Sequence, residues 1–206
     1  SKGSLPTLAV SVSSGRYLKP GCGAHLLLEG STTFCLYANA GAPFFSGVPQ
    51  QTKGYLMDKV QIRAAAIQRR KSLSSEQREL FSQSIIASLF DYLSTQSETP
   101  QNLLIYRSLP SEVATEAILQ VDGFRLFAPV THHHEHMEWH ALSETTVWKT
   151  GSFGILEPDG GALWNGKQGT TTLLCPLTAF DRSGNRLGMG KGCFDFWLAQ
   201  QREHIQ

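Results

Sequence analysis

The sequence predicts an α/β domain built on a mostly parallel sheet with helices on both faces. Two helix-forming stretches, residues 58–71 and 72–93, precede a series of short apolar runs at residues 103–106, 124–130 and 171–177. Runs of this length, bounded by turn residues, suit buried strands of a parallel sheet. A glycine-rich loop then joins the last run to a terminal helix from about Phe194. Strand and helix therefore alternate along the chain, which is the pattern of a parallel sheet covered on two sides.

At 206 residues the chain can fill one such domain, or one domain with an appendage. Hydrophobic residues at 41%, charged residues at 17% and a net charge of +1 describe an ordinary soluble protein with no field to gather nucleic acid or anionic lipid. Neither partner is expected. Cys22, Cys35, Cys175 and Cys193 form no CxxC pair and no zinc spacing, so free thiols in a reducing, cytoplasmic setting are expected. No apolar run is long enough to span a bilayer.

Residues 1–56 differ from the rest in holding eight glycines, seven serines and a single acidic residue, Glu29. Their apolar pieces are broken every few positions by Gly, Pro or Ser, so little stable structure is expected there. Three readings stay open for this extension. It resembles a transit peptide in its Ser-rich, acid-poor bias but lacks an amphipathic helix; it would serve as a disordered tail; and, the preferred reading, it is upstream sequence outside the native protein. The domain itself is expected over residues 57–206.

Each element has its own warrant. In residues 58–71, Val60, Ala64 and Ile67 share a helical face among good helix formers. Next, Ser74 with Gln77 three residues on forms a capping-box pattern ahead of Leu80, Phe81, Ile85, Leu89 and Leu93 at helical spacing. A short helix near residues 113–120, a turn at Asp122 and Gly123, a strand over 124–130, a polar His-rich patch, a strand over 137–142 and a loop over 149–169 follow. The strand over 171–177 leads into the glycine loop.

In that loop Gly184, Gly188, Gly190 and Gly192 free the main chain to approach an anion, with Arg186 and Lys191 supplying positive charge. The helix beyond it presents free N–H groups and a positive dipole end, with Asp195 in its first turn. The spacing is neither the Walker A pattern GxxxxGK[ST] nor GxGxxG. A GxGxG run alone is equally a tight strand-to-helix turn.

The wording of the loop is more specific than its spacing. AFD, GNRLG, a further GxG and an aromatic-Asp pair, all within residues 179–197, resemble the nucleotide motif of the 5-formyltetrahydrofolate cyclo-ligases. Other pieces fall in the same order: Lys59 and Arg63 four apart on one helix, YRSLPSEVAT at 106–115, FAPV, Met137-Glu138-Trp139, and FGILEP at 153–158. Taken alone, Lys59 and Arg63 read as a solvated face and Glu112 as a helix-capping charge. Together with the loop the pieces cover the chain from Met57 onward.

The resemblance implies a three-layer, NagB/RpiA-like fold and an ATP-dependent conversion of 5-formyltetrahydrofolate to 5,10-methenyltetrahydrofolate. ATP contacts carry over to Lys59, Arg63, Arg186, Leu187, Gly188, Met189, Gly190, Lys191, Gly192, Cys193 and Phe194. Folate contacts carry over to Arg107, Glu112 and Met137, and a Mg²⁺ ligand to Asp195. No nucleophilic Ser or Cys is implied; positioning and charge neutralisation suffice for phosphoryl transfer.

Family members usually continue past the terminal helix with further strands and a second Asp for the metal. The sheet is thus expected to lack its last strands and expose an edge, in a monomer or a strand-exchanged dimer. Cys193 replaces the usual aromatic and Met189 an Arg found in some members. The alternatives are a non-catalytic remnant that binds nucleotide or folate, and a general nucleotide-binding interaction domain. His132, His133, His134, His136 and His140 lack the HExxH order, so only adventitious Ni²⁺ or Zn²⁺ affinity is expected of the tract.

Overall fold

The computed structural model describes residues 26–28, 31–36, 59–94, 101–167, 169–180 and 186–201. Its strands are β1 (Leu26–Leu28), β2 (Ser31–Leu36), β3 (Gln101–Leu104), β4 (Phe124–His133), β5 (His136–Ala141), β6 (Trp148–Thr150), β7 (Leu156–Pro158), β8 (Thr170–Pro176), β9 (Ala179–Phe180) and β10 (Arg186–Leu187). The helices are α1 (Lys59–Lys71), α2 (Ser75–Ser94) and α3 (Cys193–Gln201), with a 3₁₀ turn at Glu116–Gln120. Six strands form the main sheet in the order β1-β2-β8-β3-β4-β5. Its centre, from β2 to β4, is parallel; β1 and β5 are antiparallel edges.

Strand alternation divides the core into two layers. Leu103, Ala128 and Leu174 pack against Ile85, Ile86, Leu89 and Leu93 of α2 and Ile118 of the 3₁₀ turn. Their neighbours Leu104, Phe127 and Leu173 pack on the opposite face against Trp139 and Trp197 of α3. Successive side chains point to opposite faces of a sheet, so helices are needed on both. This is the α/β class with a largely parallel sheet that the sequence predicts. Leu89 is fully packed beneath α2, and Leu89→Ala there would cost about 2–5 kcal/mol.

The capping box forms as expected. Gln77 N–H donates to Ser74 Oγ at 3.1 Å, and Ser74 N–H donates to Gln77 Oε1 at 3.0 Å. Two helix faces need correction. Leu80 is 64% exposed, and Ser82 and Ile86 bury in its place. In α1, Val60 is 62% exposed while Ala66 and Arg70 are buried, so the inward face holds cations that the apolar pattern places outside.

Other differences are local. The expected helix near 113–120 is only the 3₁₀ turn, held at its start by Thr115 Oγ1 donating to the Tyr106 carbonyl at 2.6 Å. Within the expected loop over 149–169, β6 and β7 pair antiparallel. The His-rich patch is the β4–β5 hairpin itself. Where broken patterning predicts little structure, β1 and β2 form, and β2 pairs with β8 along its whole length. On that side β8 is therefore not an edge; the rest of residues 1–56 lies outside the described residues. No described helix is long and apolar enough to cross a membrane.

Candidate functional site

A cavity of about 590 Å³ opens where β3 and β8 run out, between α1, the glycine loop and the start of α3. Open α/β sheets bind ligands at the carboxyl ends of their strands for topological reasons. The site follows that rule.

The loop's shape is set by glycine. Gly190 and Gly192 sit at φ of 99° and 78°, a region that side-chain-bearing residues rarely adopt. At Gly190 a Cβ would also stand 3.3 Å from the guanidinium carbon of Arg63, so helix and loop are in close contact there. Arg63 Nε donates to the Gly188 carbonyl at 2.9 Å. Thr178 holds the loop from beneath: its N–H donates to the Leu187 carbonyl at 2.7 Å, and its hydroxyl reaches Met189 Sδ at 3.2 Å. Arg70 reaches the same sulfur at 3.5 Å.

After Gly192 the chain turns directly into α3, where Phe196 N–H donates to the Gly192 carbonyl at 2.9 Å. The first N–H groups of a helix have no acceptor within it and attract anions. Lys191 stands 5.8 Å above the Phe153 ring, and Arg186 pairs with Asp195 in the first turn of α3. Gly184 lies outside the described residues.

Glu112 lines the same cavity with its side chain only 8% exposed. Burial pushes its carboxyl above the ordinary value, opposed by the Leu109 N–H that donates to it at 2.9 Å and by the Arg70 charge at 3.7 Å. Arg70 is itself buried, with its Nε making no hydrogen bond among the described residues. Arg107 lines the cavity beside them, stacked 5.1 Å from the Trp148 ring and 3.6 Å from Glu116.

Every residue that the resemblance brings to the site, Met137 excepted, lines this one cavity. Met137 is buried in the core among Leu104, Phe127, Trp139, Leu173 and Trp197 and does not reach the cavity. The parity of β5 accounts for its burial, since Met137 and Trp139 point inward while His136, Glu138 and His140 point out.

Sequence reasoning missed Arg70 and Glu157. Arg70 lies seven residues after Arg63, two helical turns along one face, and that spacing was the available signal. Glu157 is a buried carboxylate at the cavity wall that accepts the Thr131 N–H at 3.0 Å. Gly151 packs so closely on it that a Cβ would overlap the carboxylate. No local pattern announces that contact.

The arrangement joins a cationic, glycine-lined anion cradle to a recess holding a buried carboxylate. A family model described as the 5-formyltetrahydrofolate cyclo-ligase family matches residues 56–206. The chain is 29% identical to the 5-formyltetrahydrofolate cyclo-ligase of Mus musculus over 155 residues, 69% of this chain and 74% of that protein. It is 30% identical to the Haemophilus influenzae enzyme of the same name over 142 residues, 66% of this chain and 74% of that one. Among solved structures, the 5,10-methenyltetrahydrofolate synthetase of Aquifex aeolicus superposes with a TM-score of 0.56 at 26% identity, covering 68% of this chain and 72% of that one. The Mycoplasma pneumoniae synthetase shares the fold with a TM-score of 0.54 at 21% identity, over 70% of this chain and 79% of that one.

Proposed function

The chain belongs to the 5-formyltetrahydrofolate cyclo-ligase family, and from that premise we propose that it converts 5-formyltetrahydrofolate and ATP into 5,10-methenyltetrahydrofolate, ADP and phosphate. The observation that carries this reading is convergence: the glycine loop, Arg63 bonded to it and the buried Glu112 all line one cavity. Group transfer between two molecules needs both held in one space with their reacting atoms aligned.

In the reaction the formyl oxygen on N5 attacks the γ-phosphorus, and the bond to the bridging oxygen of ADP breaks. N10 then closes on the activated carbon and gives up its proton to solvent, and phosphate leaves with the former formyl oxygen. Arg186, Lys191 and the free N–H groups at the start of α3 counter the charge on the phosphates. Arg63 fixes the loop through the Gly188 carbonyl and keeps its terminal N–H groups for the nucleotide. Glu112 offers acceptor oxygens to ring N–H groups of the folate, and Arg107 is held ready beside it by Trp148 and Glu116.

Asp195 suits a Mg²⁺ held chiefly by ATP and water, because it is a single hard oxygen donor whose other side is engaged by Arg186. Bound there, the ion would neutralise charge on the β- and γ-phosphates.

The test is formation of the methenyl product, followed by its ultraviolet absorbance, with ATP, Mg²⁺ and 5-formyltetrahydrofolate. Turnover that falls by roughly a hundredfold in Glu112→Ala, the scale of losing a charged hydrogen bond, supports the reading. ATP binding without any turnover in the unaltered chain would overturn it in favour of a non-catalytic nucleotide-binding member.

A further inference from the structure

Away from the cavity, the β4–β5 hairpin gathers three ligand-type side chains around one point. His132 Nε2 stands 3.1 Å from Glu138 Oε2, and His136 Nε2 stands 3.3 Å from Glu138 Oε1. One donor atom from each of the three lies within 4.8 Å of the others. We propose that His132, His136 and Glu138 form a binding site for a divalent transition cation, Zn²⁺ above all.

The backbone explains the gathering. On β5, residues 136, 138 and 140 share the outward face while Met137 and Trp139 anchor the inward one in the core. The register of the hairpin shifts between Thr131 and His133, and a bulge of this kind re-aims the side chain within it. His132 is that residue. It reaches across to Glu138, and its ring lies 4.7 Å from the ring of His136.

The donor chemistry fits the ion. Two imidazoles and a carboxylate are a common Zn²⁺ set, and bonds of about 2.0–2.2 Å place tetrahedral donors about 3.3–3.5 Å apart. Donors within 4.8 Å reach that spacing by small rotations of half-exposed side chains. A fourth donor stands close: His140 Nε2 is 3.6 Å from Glu138 Oε2, too far to hydrogen-bond, and neither of its ring nitrogens has a hydrogen-bond partner among the described residues. A histidine screened from water with idle nitrogens is a ligand in waiting.

The site is narrower than the His tract. His133 Nδ1 accepts the Glu135 N–H at 3.4 Å, and the His134 ring packs edge-on against Phe196 of α3 at 5.5 Å. Those two are occupied elsewhere. Gln200 of α3 also donates to the Glu135 carbonyl at 3.3 Å, so a cation on the hairpin would stiffen an element that braces α3.

Calorimetric titration of the full chain with ZnCl₂ tests the proposal. Expected are a saturable site, at least a tenfold loss of its affinity in H132A/H136A and in E138Q, and unchanged affinity in H133A/H134A. Zn²⁺ should also raise the melting temperature of the unaltered chain and not that of H132A/H136A. Equal losses in both double variants would reveal only the adventitious affinity of a His-rich tract and overturn the site; so would wild-type affinity in H132A/H136A. The side chains of His132, His136 and Glu138 are a third to a half exposed, so the variants keep their fold.

Discussion

Arg63 donates through Nε to the Gly188 carbonyl at 2.9 Å, which ties α1 to the glycine loop across 125 residues of sequence. A hydrogen bond from a charged donor contributes about 1.5–3 kcal/mol. Arg63→Ala should therefore raise the KM for ATP by roughly ten- to a hundredfold in steady-state assays. Arg63→Lys should fail to rescue it, because the ammonium lacks the Nε donor and the planar fork. Full rescue by lysine would mean that only charge matters at this position.

The glycine loop is legible in sequence because its shape is written in residue types: glycines where φ is positive, cations beside them, a helix after them. The inward face of α1 is not. Apolar periodicity points to Val60 and Ala64, while the structure turns Arg63 and Arg70 inward, with Ala66 buried between them, because the partners of the two arginines, Gly188, Met189 and Glu112, lie far along the chain. Met137 is legible as a core residue, since it stands two residues before Trp139 on the same side of a strand, and the two bury together. β2 is not legible: its partner β8 is some 140 residues away, and nothing local marks the pairing.

Arg70 and Glu112 form a buried pair at 3.7 Å, and the pair makes a pH-dependent prediction. Glu112 has its folded value raised by burial, so its contribution to stability is complete below its unfolded value near 4.5 and is lost as pH rises through the folded one. Arg70 opposes that loss by favouring the carboxylate. Arg70→Met should raise the Glu112 value further, as a carboxyl-carbon NMR titration would register. It should also cost more stability at pH 7 than at pH 4, approaching the lower end of the ~3–5 kcal/mol typical of broken buried pairs. A cost independent of pH would show that Arg70 acts by packing alone.

Gly151 and Glu157 are coupled sterically. A methyl at residue 151 would overlap the carboxylate that accepts the Thr131 N–H. Gly151→Ala should destabilise the fold by about 1–3 kcal/mol through overpacking. Glu157→Ala alone should cost about 1–3 kcal/mol by leaving a buried N–H unpaired. The double variant should be more stable than the sum of the two losses implies, because removing the carboxylate vacates the space the methyl needs. Denaturant melts of all four proteins give the cycle, and strict additivity would refute the coupling.

Cys193 begins α3, a position whose dipole would ordinarily activate a thiol. Here burial dominates and pushes the Cys193 thiol up, with the Lys191 charge acting in the other direction. Iodoacetamide at pH 8 should therefore alkylate Cys193 more slowly than free cysteine, as peptide mapping by mass spectrometry would measure. Lys191→Ala should slow it further. Faster reaction than free cysteine would mean that the helix terminus outweighs desolvation.

The pairing of β2 with β8 carries a prediction about the first part of the chain. β2 runs parallel to β8 from Ser31 opposite Thr171 to Leu36 opposite Pro176, and it lies outside the stretch matched to the family. Without it, the N–H and C=O groups on one side of β8 lose their partners, each backbone hydrogen bond being worth about 0.5–1.5 kcal/mol. A parallel strand left as a bare edge is also a template for strand addition. A chain beginning at Met57 should thus melt at a lower temperature and associate with increasing concentration, which calorimetry and light scattering would detect. If it stayed monomeric with an unchanged melting temperature, β2 would contribute nothing to the sheet, and the domain would be complete from α1 onward.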